Sequence, residues 1–144
     1  QPKNTNALFQ YGNIFLMEKN YDKALLKYNK IIEIKSNFWQ AINNKGLIYF
    51  EQDEILLAID NFTKAIEIEK NAESILALGI SLKNSNREKS LLLVKEALQK
   101  NPNYVSFEFR EKQLWGPKLQ KATEDLFKIE ELSEDIAIAN LYKN

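Results

Sequence analysis

The 144-residue sequence contains neither cysteine nor histidine. That excludes disulfides, thiolate metal sites, cysteine nucleophiles and imidazole bases together, because each needs one of those two side chains. Glycine and proline are scarce, with four and three residues, and no glycine-rich run exists that could cradle a phosphate. No stretch approaches the roughly 18 consecutive apolar residues that a membrane-spanning helix needs, and no basic-then-apolar start resembles a signal peptide. An excess of one charge is missing too. Twenty Lys plus Arg balance 20 Asp plus Glu, so no net field draws the chain to a nucleic-acid backbone or an anionic lipid surface. Acidic neighbours do occur, at Asp53-Glu54 and Glu130-Glu131, and they read as helix-start charges or exposed surface. The sequence offers no catalytic residue, no metal-ligand set and no cofactor site, and is read as a non-enzyme.

What is present is the composition of a folded domain. Apolar residues make up 44% and charged residues 28%, far from the corner of low hydrophobicity and high charge that stays disordered. The absence of cysteine leaves cytoplasm and periplasm both open. The chain opens on Gln1 rather than Met, which reads as a trimmed start, with targeting or anchoring parts expected elsewhere in the parent protein. Eighteen lysines stand against two arginines, and asparagine and isoleucine are abundant; this is the residue usage of an AT-rich genome.

The informative feature is a period of 34 residues. Leu8, Tyr11, Gly12 and Phe15 are followed by Ala24, Tyr28 and Ile31, and 34 positions later come Ile42, Gly46 and Tyr49, then Ala58, Phe62 and Ala65. A third copy runs through Ile75, Leu78, Gly79 and Leu82 to Ser90, Val94 and Ala97 and ends at Asn101-Pro102, where a helix stops. A worn fourth copy keeps Ala122, Leu126 and Ile129 but has no glycine between Tyr104 and Trp115. The spacing predicts helices at 5–18, 21–35, 38–51, 54–69, 72–84, 87–100, 103–115, 117–132 and 134–143. Gly116 is expected to end one helix and Pro117 to begin the next. Ser133-Glu134-Asp135 is expected to cap the last. A helix pair cannot bury its own apolar face, so copies must stack. Gly12, Gly46 and Gly79 are expected to admit a neighbouring helix, with Ala24, Ala58, Ala65 and Ala97 as small partners and Tyr11, Phe15, Tyr28, Tyr49 and Phe62 filling the remaining space.

The pattern Leu-x2-Tyr-Gly-x2-Phe followed by Ala-x3-Tyr resembles the tetratricopeptide repeat family, over residues 5 to about 132. Leu8, Ile42 and Ile75 stand where that motif has tryptophan, and its closing proline survives only as Pro102. The resemblance implies an all-α fold, a right-handed superhelix of stacked antiparallel helix pairs. One domain over 1–144 would hold repeats at about 5–38, 39–71 and 72–102, a degenerate repeat at 103–132 and a capping helix at 133–144.

In this family the first helices of successive repeats line a concave groove that binds a partner. Carried across by alignment, the partner-binding residues are Phe9, Asn13 and Met17 of the first repeat, Gln40, Asn43, Asn44, Leu47 and Phe50 of the second, and Leu76 and Ile80 of the third. Asn6, Gln10, Leu16, Glu51, Glu73, Ala77, Lys83 and Asn84 complete the lining. Such a mixture of amides and apolar groups suits an apolar or amphipathic segment of another protein. Leu16, Leu47 and Ile80 serve equally well as core by their type. Asn43-Asn44 side by side in a helix carry a propensity cost that a binding role would explain. Family members that clamp acidic chaperone tails need basic residues where this chain has Phe9, Glu73 and Ala77, so that ligand is excluded on charge. Trp39 and Trp115 read as packing residues at helix ends, and the i, i+4 pairs Glu108 with Lys112 and Glu124 with Lys128 as solvated faces. The alternative function is self-association, with a second copy on the groove or on the open end of the stack; sedimentation distinguishes the two.

Overall fold

The computed structural model describes residues 4–144, so the first three residues of the expected domain lie outside it. Six helices make three antiparallel pairs: α1 Thr5–Met17 with α2 Tyr21–Ile34, α3 Trp39–Glu51 with α4 Ile55–Ile68, and α5 Ala72–Ser81 with α6 Arg87–Lys100. A 3-10 turn at Pro102–Val105 leads to α7 Phe107–Lys112 and α8 Pro117–Leu126. A second such turn, Glu130–Leu132, leads to α9 Ser133–Tyr142. No strand occurs among the described residues.

Local chemistry sets these boundaries. Asparagine side chains accept the free amides at several helix starts, Asn4 from Ala7 N, Asn20 from Lys23 N, Asn71 from Ser74 N and Asn86 from Lys89 N. Several of the asparagines therefore cap helices. The first two repeats close their inner turns on left-handed residues, Lys19 at φ 61° and Asp53 at φ 62°. There Asn20 N donates to Phe15 O and Glu54 N to Tyr49 O, both at 2.8 Å, so the same C-terminal motif recurs 34 residues apart.

The glycines do bring paired helices together, through rings more than through alanines. A Cβ on Gly12 would lie 2.6 Å from Tyr28 Cε1, and one on Gly46 would lie 2.5 Å from Phe62 Cε1. At Gly79 the neighbour is the Ser90 backbone oxygen at 3.1 Å, and Ser90 Oγ also donates to Gly79 O. Tyr28, Phe62, Ala24, Ala58, Ala65 and Ala97 are fully buried, whereas Tyr11, expected in the core, is exposed. Its side chain lies on the outer edge of α1, which has no preceding helix against it among the described residues.

The fourth repeat departs from the regular stack. The expected helix 103–115 is split into the Pro102–Val105 turn and the short α7, and the expected 117–132 helix ends at Leu126. Instead of extending the row, α8 packs on α3 and α5, while the Pro102–Val105 turn and α9 cover α6. Glycine does not end α7: Leu114, at φ 71°, is the left-handed residue, and Gly116 instead occupies the N-cap of α8 ahead of Pro117. A side chain in that conformation costs about 1–2 kcal/mol. The helix α9 begins at Ser133 without the expected side-chain cap bond.

Candidate functional site: the concave wall

The first helices α1, α3 and α5 present one residue set toward a common side, but its exposure changes along the row. In α1, Asn6 and Gln10 are exposed, Phe9 and Asn13 are half-buried and Met17 is 66% exposed. Phe9 leans on Tyr28 and Phe38, with ring centroids 6.0 and 5.3 Å away. In α3, Gln40 is exposed, while Asn43, Asn44, Leu47 and Phe50 are buried. In α5, Leu76, Ala77 and Ile80 are fully buried. Leu47, Phe50, Leu76 and Ile80, expected to meet a guest, are therefore covered in this structure. Their cover comes from the same chain, since α8 lies across α3 and α5.

The asparagines have a structural task. Asn13 Oδ1 accepts from Tyr28 Oη at 2.6 Å and from Asn44 Nδ2 at 3.1 Å. Asn44 Oδ1 accepts from Asn43 Nδ2 at 3.2 Å. Asn43 Oδ1 takes the Ser74 hydroxyl at 2.7 Å, and Asn43 Nδ2 also donates to Glu73 Oε2 at 2.9 Å. A run of amides and hydroxyls thus links four helices, α1, α2, α3 and α5, and each group satisfies the next. The Asn43-Asn44 pair that looked like a ligand signal is explained by this buried run, and its donors and acceptors are already engaged.

The run ends at Glu73. Its Oε2 also accepts from Trp115 Nε1 at 3.1 Å, and Trp115 is 4% exposed. Burial raises the Glu73 pKa to about 7, opposed by the hydrogen bonds from Trp115, Asn43 and Tyr104. Tyr28 and Tyr104 are raised well above the usual phenol range, also through burial.

A second carboxylate holds the start of α8. Glu51 Oε1 accepts from Lys118 N and Oε2 from Leu119 N, each at 3.0 Å, an arrangement that satisfies two amides free at a helix start. Gly116 permits it, because a Cβ there would come within 2.7 Å of Glu51 Oε1. Beside it Lys118 Nζ meets Asp53 Oδ2 at 2.5 Å. Within the hairpin, Arg110 is fully buried. It donates to the Ser106 and Val105 carbonyls and pairs with Glu124. Glu124 is thus taken by Arg110 rather than standing on an open face with Lys128.

Two clefts remain on either side of Leu114. One of about 420 Å³ is bounded by Leu16, Met17, Tyr21 and Leu47 against Phe107, Leu114, Trp115 and Pro117, with Lys19, Glu51, Glu111 and Gln120 among its polar members. The other, about 310 Å³, lies among Phe9, Asn13, Trp39, Gln40, Asn43, Asn44, Glu73, Tyr104 and Lys112. Sequence reasoning found the inner wall and took Trp115 as packing, but assigned no role to Glu51 and Glu73 as anchors of the C-terminal hairpin. The signal that could have found them is Trp115-Gly116-Pro117, a buried-type aromatic joined to a helix start.

Among the described residues no cluster of acidic side chains could hold a metal ion, and no helix is long and apolar enough to cross a membrane. No family model matches the chain. A TPR repeat-containing protein of Methanocaldococcus jannaschii is 32% identical over 49% of this chain and 16% of its own length. The STIP1 homolog of Dictyostelium discoideum is 34% identical over 39% of this chain and 10% of its own length. The chain thus spans less than a fifth of either curated relative. The N-terminal domain of stress-induced protein-1 from C. elegans superposes with a TM-score of 0.53 at 21% identity, over 88% of this chain and 97% of that one, which establishes the shared fold. Helix pairs stacked in register with an inner wall define a helical-repeat fold. The 34-residue period, the ring-on-glycine contacts and these likenesses make the chain similar to tetratricopeptide repeat proteins.

Proposed function

We propose that this chain is a non-catalytic interaction module that grips an apolar or amphipathic segment of another protein. The grip lies on the open part of its concave wall, between α1 and α3 on one side and Leu114 to Pro117 on the other. One observation carries the reading: the roughly 420 Å³ cleft there has two apolar walls, and Met17 stands on one of them with most of its side chain exposed. A volume in that range, lined mainly by apolar groups with a few polar members, suits side chains of a bound segment. Methionine adapts its shape to varied apolar guests. Because the asparagines of α1 and α3 are bonded to one another, apolar contact rather than amide bonding to a guest backbone supplies the recognition.

The test is affinity capture from the source organism with the intact chain, a Met17→Lys variant and a Leu92→Lys control. Leu92 is an exposed apolar residue of α6, away from the cleft. Partners retained by wild type and Leu92→Lys but lost by Met17→Lys are expected. Equal recovery by all three would move the binding surface elsewhere.

A further inference from the structure

We propose that the α7–α8 hairpin, residues 106–126, is a self-docked strap that closes the third-repeat half of the groove: docked, it leaves a guest only the cleft beside α1, and lifted, it opens the whole wall. This rests on the reading of the concave wall as the guest surface, and adds to it a device that controls access.

The hairpin sits where a ligand of this wall would sit. Its second helix lies on α3 and α5, the first helices of the second and third repeats. It is held by ligand-like contacts between residues far apart in the chain. The Trp115 indole N–H donates to Glu73, the start of α8 is capped by Glu51, and Lys118 pairs with Asp53. Leu119, fully buried, follows directly on this start.

Both ends of the hairpin are fastened elsewhere. The Pro102–Val105 turn and α9 pack on each other and on α6, so the hairpin can lift without unstacking the repeats. Its tethers then keep it near the groove at high effective concentration, which makes closure rapid and reversible. Its own cohesion does not need the wall, because Arg110 binds the Ser106 and Val105 carbonyls and Glu124 inside the hairpin. The Arg110 guanidinium carbon also lies 6.0 Å from the Phe107 ring centre and 5.2 Å from that of Phe127.

Several unfavourable features gather at this element. Leu114 is left-handed, and Arg110 Nη1 and Gln120 Oε1 are buried without a protein hydrogen-bond partner. The docked strap also encloses the Glu73 carboxylate, whose pKa burial raises. Elements that carry such costs belong to the low-stability end of a structure, from which lids and switches are drawn. Undocking rehydrates Glu73 and uncovers the groove face of α5.

The probe is a fluorescein-labelled synthetic peptide of residues 106–128, titrated by anisotropy against the intact chain and against a Trp115→Ala/Leu119→Ala variant whose own strap is weakened. The peptide is expected to bind the variant at least tenfold more tightly than wild type, and a peptide carrying Trp115→Ala is expected to bind neither. Equal affinity for both chains, or no binding to a variant that keeps the wild-type circular dichroism, overturns the proposal. Should the variant lose its helical signal, native-state hydrogen exchange of the wild-type chain decides. Amides of α8 exchanging at least tenfold faster than those of α3 and α5 support the strap, and one common rate overturns it. Neither measurement uses a natural partner, so failure of the strap and failure of the cleft assignment are separate results.

Discussion

Met17 in the first repeat and Ile80 in the third both belong to the inner wall, yet one is 66% exposed and the other fully buried. The helices that carry them are the first helices of their repeats, and equivalent positions show the same contrast: Gln10 is exposed where its counterparts Asn44 and Ala77 are buried. What differs is the cover that the C-terminal hairpin supplies to one end of the row and not to the other. A repeat motif therefore specifies which residues face inward, and elements outside the motif decide which inward residues are surface.

The largest expected effect sharpens that contrast directly. Ile80→Ala should destabilise the chain by about 2–5 kcal/mol, the range for truncating a buried aliphatic side chain, whereas Met17→Ala should stay within about 0.5 kcal/mol. Urea unfolding of the two variants checks it, and similar midpoints would abolish the distinction between the ends. A second effect comes from Glu73, where the closed end meets the hairpin. Its pKa of about 7 in the folded chain lies above its ordinary value of 4.5. The folded state thus holds a proton that the unfolded state releases, and the associated stability is full below about pH 4.5 and lost as pH rises through about 7. Tyr104 shares the surrounding cleft and, with its phenol pushed up by burial, stays neutral through this window, so the slope belongs to the carboxylate. Stability should fall on the order of 2–3 kcal/mol between pH 5 and 8 from this group. Glu73→Gln should flatten that part of the profile in urea titrations at the two pH values. The smallest effect concerns the cap of α8. Gly116→Ala should push Glu51 from its two amides at a cost of about 1 kcal/mol, the worth of a lost helix cap. In a double-mutant cycle it should add little to Glu51→Ala; full additivity would mean that glycine is needed there for another reason.

Much of the stack was legible because its signals are local or strictly periodic. Gly12, Gly46 and Gly79 mark the close approaches, and the turns at Lys19 and Asp53 recur at the repeat distance. The exposure of Met17 and the partial exposure of Phe9 on α1 were legible as well. The covering of Leu47, Leu76 and Ile80 was not, because it depends on contacts such as Glu51 with Leu119, 68 residues apart, which no period announces. The asparagines misled for a related reason. A residue that is costly in a helix signals that something compensates, but not whether the compensating group belongs to a guest or to the neighbouring helix. Asn43 and Asn44 are compensated by Asn13, Ser74 and Glu73. The odd charge in the fourth repeat, Arg110, is likewise compensated from within the hairpin.

The amide run from Asn13 to Ser74 has a consequence for how the stack is assembled. Apolar helix faces tolerate exchange, since one well-filled greasy contact resembles another. A line of matched donors and acceptors does not, because an unmatched amide in the interior costs about 1–3 kcal/mol. Asn43 finds its counterparts only when α5 follows α3, and Asn44 only when α1 precedes it. The three helix pairs are thus addressed parts rather than interchangeable bricks: a chain with its second and third repeats transposed would hold the same residues and lose its order.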